Sequence, residues 1–179
     1  MRLAKLALAV SVSLATLPVF AQQPAAAPAA AMLHKVIAPS TGLTLVVNGR
    51  STAFTLAQLA ALPHKTITVY NLHDQKNQSF SGVSLADLLA ANGAPFDKTT
   101  QHNMLRSYIL AEGADAYQVI YSTVEVYTPD YHSGDVIIAD SMDGQPIAED
   151  GIRLVSSEDK HPMRWVRSLT KITLVQTGN

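Results

Sequence analysis

The residues of this chain that could do chemistry are sparse, and they do not assemble into a standard catalytic motif. Six histidines, His34, His64, His73, His102, His132 and His161, stand singly, with no His-Glu-x-x-His and no paired helical spacing to seat two imidazoles on one zinc ion. The best local cluster is Thr128-Pro129-Asp130-Tyr131-His132-Ser133-Gly134-Asp135. There His132 with Asp130 and Asp135 could hold a divalent cation or work as an acid–base pair, although loops carry such residues for solubility alone. Cysteine is absent from all 179 residues, which removes disulfides, thiolate nucleophiles, thiolate metal sites and redox pairs together. No Gly-x-Ser-x-Gly elbow and no phosphate loop occurs.

Charge is the other chemical signal. Between Glu112 and Asp159 there are eleven acids and one base, Arg153, whereas Lys160, Arg164, Arg167 and Lys171 fall within twelve residues around Trp165. Such a basic segment can receive an anion or an acidic face of the same fold. Trp165 itself reads as core, with Arg164 and Arg167 on the opposite face of a strand. Tyr108, Tyr117, Tyr121, Tyr127 and Tyr131 crowd the same region, and the alternation of at least two of them along predicted strands favours packing over a ligand cage.

These residues need elements to position them. Residues 1–21 have the pattern of a general-pathway signal peptide: Arg2 and Lys5, an apolar run from Leu6 to Phe20, and cleavage after Ala21. The expected location is therefore periplasmic or secreted. No second long apolar run follows, so no permanent membrane span is expected. Residues 22–39 are a Pro/Ala-rich spacer, and residues 40–177 suit one domain. The formal net charge of −1 becomes more negative once Arg2 and Lys5 are removed, which argues against a nucleic-acid partner.

Within the domain, Leu43–Val47 reads as a strand, Asn48-Gly49 as a hairpin turn, and a returning strand reaches Phe54. Thr55-Leu56-Ala57-Gln58 is a capping box for a short helix that Pro63 ends, and Ser84-Leu85-Ala86-Asp87 starts a second helix closed by Asn92-Gly93. Thr66–Tyr70 reads as a strand running into a polar loop. Arg106–Ala111 and Ala116–Ser122 read as a hairpin, and Val136–Ala139 as a buried strand. The Gly151–Val175 stretch reads as an apolar strand, a polar connection over Ser156–Pro162, and a second strand bearing Trp165. The fold class is α+β: a mixed β-sheet domain with short capped helices.

Gly82-Val83-Ser84-Leu85-Ala86-Asp87-Leu88-Leu89, with the Thr55–Pro63 helix before it, resembles the oxidoreductase molybdopterin-binding domain of the sulfite oxidase family. The order of the later pieces agrees: Ala114-Asp115-Ala116-Tyr117, Asp143-Gly144-Gln145-Pro146-Ile147, Arg153-Leu154-Val155 and Arg164-Trp165-Val166. The resemblance spans roughly residues 40 to 175 and implies a sulfite-oxidase-like fold more firmly than a reaction. Catalytic relatives bind molybdenum through a cysteine thiolate between the two helices, but here Thr66–Ser81 offers only His73 and Asp74. Where relatives place glycines against the pterin phosphate, this chain has Ser156-Ser157-Glu158-Asp159-Lys160-His161-Pro162. Cofactor-loaded relatives also leave the cytoplasm under a twin-arginine signal, and Arg2 has no arginine beside it.

The expectation is a domain without molybdenum redox chemistry and with no cofactor, acting as a binding or accessory module. By the positions matching the pterin site, His73, Lys160, His161, Arg164 and Arg167 would bind a small anion or the acidic surface of an exported protein partner. Substituting Arg164 and Arg167 together is expected to abolish that binding with little loss of stability. A competing expectation is a molybdopterin-dependent oxidoreductase whose metal is held by other ligands or by the pterin alone. A third makes the acidic Glu112–Asp159 surface the contact within a larger exported complex.

Overall fold

The computed structural model describes residues 37–72, 74–95, 101–127 and 134–177. The expected signal peptide, and the spacer up to residue 36, lie outside the described residues. The first hairpin joins β1 (Gly42–Val47) to β2 (Arg50–Thr55), and Asn48 (φ 51°) and Gly49 (φ 75°) both take the left-handed backbone that a two-residue turn demands. Leu43, Leu45 and Val47 alternate into the core, as a half-buried strand requires. Thr55 then caps α1 (Leu56–Ala60). Its Oγ1 accepts from the Gln58 N–H at 3.2 Å, while the Thr55 N–H donates to Gln58 Oε1 at 2.8 Å.

Beyond Pro63 run β3 (His64–Asn71) and β4 (Lys76–Ser84), and Ser84 Oγ accepts from the Asp87 N–H to start α2 (Leu85–Ala91). After α3 (Gln101–Met104) come the antiparallel pair β5 (Ser107–Gly113) and β6 (Gln118–Ser122), then α4 (Thr123–Tyr127). β7 (Val136–Met142), the short β8 (Gln145–Pro146), β9 (Arg153–Ser156) and β10 (Leu169–Gln176) complete the described chain.

These strands form two five-stranded sheets rather than one. The first has the order β2-β1-β10-β5-β6 and is mixed, because β1 and β10 run parallel while its other pairs are antiparallel. The second is antiparallel, with the order β3-β4-β7-β8 and β9 also paired to β7. Sheets with few short helices make an α+β fold. The expected single sheet is corrected because strand periodicity shows that a segment is extended, not which neighbour it takes.

The larger core gathers residues of both sheets, including Leu45, Ile109, Val83, Ile138 and Leu154, with Leu85, Leu88 and Leu89 of α2. A smaller cluster lies on the other face of the second sheet, where Phe80, Ile137 and Val155 pack with Trp165. β7 is therefore covered on both faces, which is why Val136–Ala139 is continuously apolar. Gly82 stands where β4 shifts register against β7. A Cβ there would lie 2.0 Å from the Ile138 carbonyl oxygen, so the glycine of the Gly82-Val83-Ser84-Leu85 run is fixed by backbone approach.

Trp165 is buried as expected, but not on a strand. Pro162–Arg164 form a single 3-10 turn, the Trp165 N–H donates to the Pro162 carbonyl at 3.1 Å, and regular pairing resumes only at Leu169. The indole meets Phe80 edge to face at 5.5 Å, and its Nε1–H donates to the Ser156 carbonyl at 3.2 Å.

One buried charge organises the chain ends. Asp150 is 1% exposed. Its Oδ2 accepts from Arg153 Nε at 2.6 Å and Nη2 at 2.5 Å, and its Oδ1 accepts from Arg167 Nε at 2.9 Å. Its carbonyl accepts from the Ser40 N–H and Oγ at 2.9 and 2.8 Å. Asp150→Asn should lower the unfolding free energy by about 3–5 kcal/mol in equilibrium urea denaturation, because two guanidinium groups lose their counter-charge. Glu149→Gln, at a largely exposed neighbour, should change it by no more than about 0.5 kcal/mol.

Candidate functional site

The end of β3 and the loop after β9 meet across an open cavity of about 350 Å³ lined by Tyr70, Leu72, Glu158, Asp159, Lys160 and His161, with Ser157 at its base. Both sides are held by local hydrogen bonds. The Asn71 Nδ2 group donates to Oε1 of buried Gln78 at 2.8 Å and fastens the end of β3 to β4. On the facing loop, the Ser157 N–H donates to the Asp135 carbonyl at 2.9 Å, and the Asp135 N–H donates to Ser157 Oγ at 2.8 Å. Tyr70 and Leu72 remain 54% and 45% exposed, so the cavity presents an apolar wall opposite a charged one.

Of the residues the sequence nominates, Lys160 and His161 come together here. His73 lies outside the described residues. Arg164 and Arg167 do not line the cavity. Arg164 is bracketed by Asp159, whose Oδ1 accepts at 2.5 Å, and Glu125, whose Oε1 accepts at 2.6 Å, and its guanidinium stacks 4.6 Å over the Tyr121 ring. Burial alone would lower its pKa, but the hydrogen bonds it donates to Asp159 and Glu125 more than reverse this and hold it above the ordinary arginine value. Burial, reinforced by the Asp159 charge, raises the Tyr121 phenol, whose O–H donates to the Arg164 carbonyl at 2.7 Å. This is a clamp of fixed protonation rather than an acid–base pair.

Arg167 is spent on Asp150, and Lys171 pairs with Glu112 at 3.1 Å across adjacent strands. The Lys171 hydrogen bond, with help from Gln118, holds the Glu112 carboxyl below its ordinary value. Three of the four cations around Trp165 thus answer acids from the Glu112–Asp159 run, and the charge segregation in sequence is an internal complementarity in the fold. The expectation that Arg164 and Arg167 can be removed at little cost in stability is corrected for the same reason: both would leave carboxylates short of a partner. Lys160 and His161 carry no ion pair among the described residues.

Of the Asp130–His132–Asp135 cluster, Asp130 and His132 lie outside the described residues, and Asp135 pairs with Lys65 at 2.5 Å. Beside that pair is one the sequence did not reveal. His64 Nε2 faces Asp140 Oδ2 at 2.8 Å and Nδ1 faces the Leu62 carbonyl at 2.7 Å. Both partners only accept, so satisfying both requires the doubly protonated imidazolium. The Asp140 hydrogen bond accordingly raises the His64 pKa above its ordinary value. No local signal could have found a pair 76 residues apart.

A molybdenum-bearing pterin of the kind the family resemblance implies takes a protein thiolate, and the whole chain has none. Among the described residues no three His, Asp or Glu side chains are grouped closely enough to hold a metal. The loop opposite β3 carries Glu158 and Asp159, and the two arginines suited to a phosphate are already paired. The residues present do not fit that group.

No family model matches the chain, and no curated protein matches it in sequence. Among solved structures it is similar to the crystal structure of the sulfane dehydrogenase SoxCD from Paracoccus pantotrophus, with 18% identity and a TM-score of 0.58. The match covers 76% of this chain and 38% of that one. At that identity the likeness carries the fold alone, and it supports a sulfite-oxidase-like architecture.

The His64 pair gives stability a pH dependence of definite sign. A folded pKa raised above the unfolded value of about 6.5 makes the contribution full below that value and lost as pH rises through the folded pKa. The urea midpoint of the parent should exceed that of His64→Gln most at about pH 5, and the gap should narrow by about pH 8. An equal gap at both would show that the imidazolium is not what stabilises.

Proposed function

We propose that this chain is an exported binding module on a sulfite-oxidase-like scaffold, without molybdenum redox chemistry, that takes a small organic anion between Tyr70–Leu72 and Ser157–His161. The observation that carries this reading is the distribution of paired cations. Arg164, Arg167 and Lys171 are committed to internal carboxylates, which leaves Lys160 and His161 at the cavity with their donors available. Lys160, and His161 when protonated, would hold the anionic group by charge-assisted hydrogen bonds, and Tyr70 and Leu72 would cover an apolar body attached to it. Of the two acids at the cavity, Asp159 is neutralised by Arg164, and Glu158 is the carboxylate a bound anion must face away from. Export rests on the leader pattern of residues 1–21.

Titration of the mature chain with benzoate, followed calorimetrically, tests the site. Saturable binding is expected, and Lys160→Ala with His161→Ala should weaken it at least about tenfold while leaving the melting temperature unchanged. An unaltered affinity in that double variant overturns the assignment. Elemental analysis of protein from its native compartment tests the loss of redox chemistry. Molybdenum near one equivalent per chain, with an extractable pterin, would establish the competing oxidoreductase and overturn the cofactor-free reading.

A further inference from the structure

A second surface lies along the β2 edge of the first sheet. β2 is an edge strand that pairs only with β1, and five of its six residues are exposed. Next to it runs a groove formed by two cavities of about 340 and 450 Å³ that share Thr52, Ala91 and Asn92. Thr52 and Phe54 of β2 form one wall, α2 forms the other, and Val83 and Leu88 lie beneath. The groove is held open at one end by the hydrogen bond from Asn48 Nδ2 to the Gly93 carbonyl at 2.9 Å, which ties the hairpin tip to the end of α2.

The backbone of β2 is available along this groove. In a two-residue hairpin the pair flanking the turn, Val47 and Arg50, is the closely hydrogen-bonded one, and the alternation continues from it. Arg50, Thr52 and Phe54 therefore bond to β1, whereas the N–H and C=O groups of Ser51, Ala53 and Thr55 point away from it. The Thr55 N–H is taken by Gln58 Oε1, which leaves Ser51 and Ala53 open. β2 has no proline, no lysine and no bulge, and its one charged residue, Arg50, stands at the turn end.

Charge supplies the direction. Arg50 stands at the Gly93 end of the groove and Asp87 at the Phe54 end, and neither has an ion-pair partner among the described residues. We infer that β2 and α2 form a docking site for an extended segment of a partner polypeptide. The segment adds to the sheet antiparallel to β2, with apolar side chains at alternate positions entering the groove, a basic residue reaching Asp87 and an acidic one reaching Arg50. An apolar small molecule would use the groove but neither the open main-chain groups nor the opposed charges at its ends. Strand addition uses all three.

The probe is a fluorescent heptapeptide with lysine near its amino end, glutamate near its carboxyl end and valine at alternate positions between, titrated against the full chain by anisotropy. Saturable binding is expected. Ala53→Pro removes an outward N–H without touching a bond to β1 and should weaken binding at least about tenfold. Arg50→Glu should prefer the peptide carrying lysine in place of glutamate, a readout independent of whether Ala53→Pro keeps its fold. Absence of binding, or equal binding by both variants, overturns the inference. A concentration-dependent dimer that Ala53→Pro abolishes, with no peptide binding, overturns it in favour of a second copy of this chain.

Discussion

A carboxylate sealed from water cannot stay charged without donors around it, and the donors that Asp150 recruits decide how the domain closes. Arg153 comes from the next strand and Arg167 from beyond the Trp165 turn, while the carbonyl of the same residue holds Ser40 at the start of the domain. Ser40 Oγ also accepts from the Ile152 N–H at 3.2 Å, so the entry to β1 and the entry to β9 are fixed to one another. β1 also pairs in parallel with β10, so an early and a late strand of the domain lie side by side in one sheet. Arg153 adds a second function by lying 5.8 Å over the Phe80 ring, capping the smaller core beside Trp165.

The same logic runs through the rest of the charged residues. Glu125 and Asp159 hold Arg164 against Tyr121, Glu112 holds Lys171, Asp140 holds His64 and Asp135 holds Lys65. Acids from the middle of the chain thereby fasten the terminal segment and the start of β3. Basic side chains that could have faced a phosphate are instead part of the framework. Of the basic residues from Lys160 to Lys171, only Lys160 and His161 have no ion pair among the described residues, and both line the cavity at the exposed end of β3.

The packing constraints on the fold are uneven along the chain. At Gly82 the β4–β7 approach leaves no room for a Cβ. The two capped helices place Leu59, Leu85, Leu88 and Leu89 in the larger core. The cavity at the end of β3 is lined by more polar residues: two acids, a lysine and a histidine beside Tyr70 and Leu72.

Several elements were legible before any coordinates. The Asn48-Gly49 turn, the Thr55–Gln58 capping box, the Ser84 cap and the burial of Val136–Ala139 rest on contacts within a few residues or on local periodicity, so the sequence by itself determined them. The burial of Trp165 was legible, but the strand expected to carry it does not form there, because Pro162 starts a 3-10 turn. The division into two sheets, the β1–β10 pairing and the His64–Asp140 contact join residues far apart in the chain, and only the tertiary structure decided them. Charge shows the same boundary. The sequence established that acids and bases are segregated, but whether a cation faces a ligand or a carboxylate depends on which side chains meet, and burial makes an internal partner compulsory.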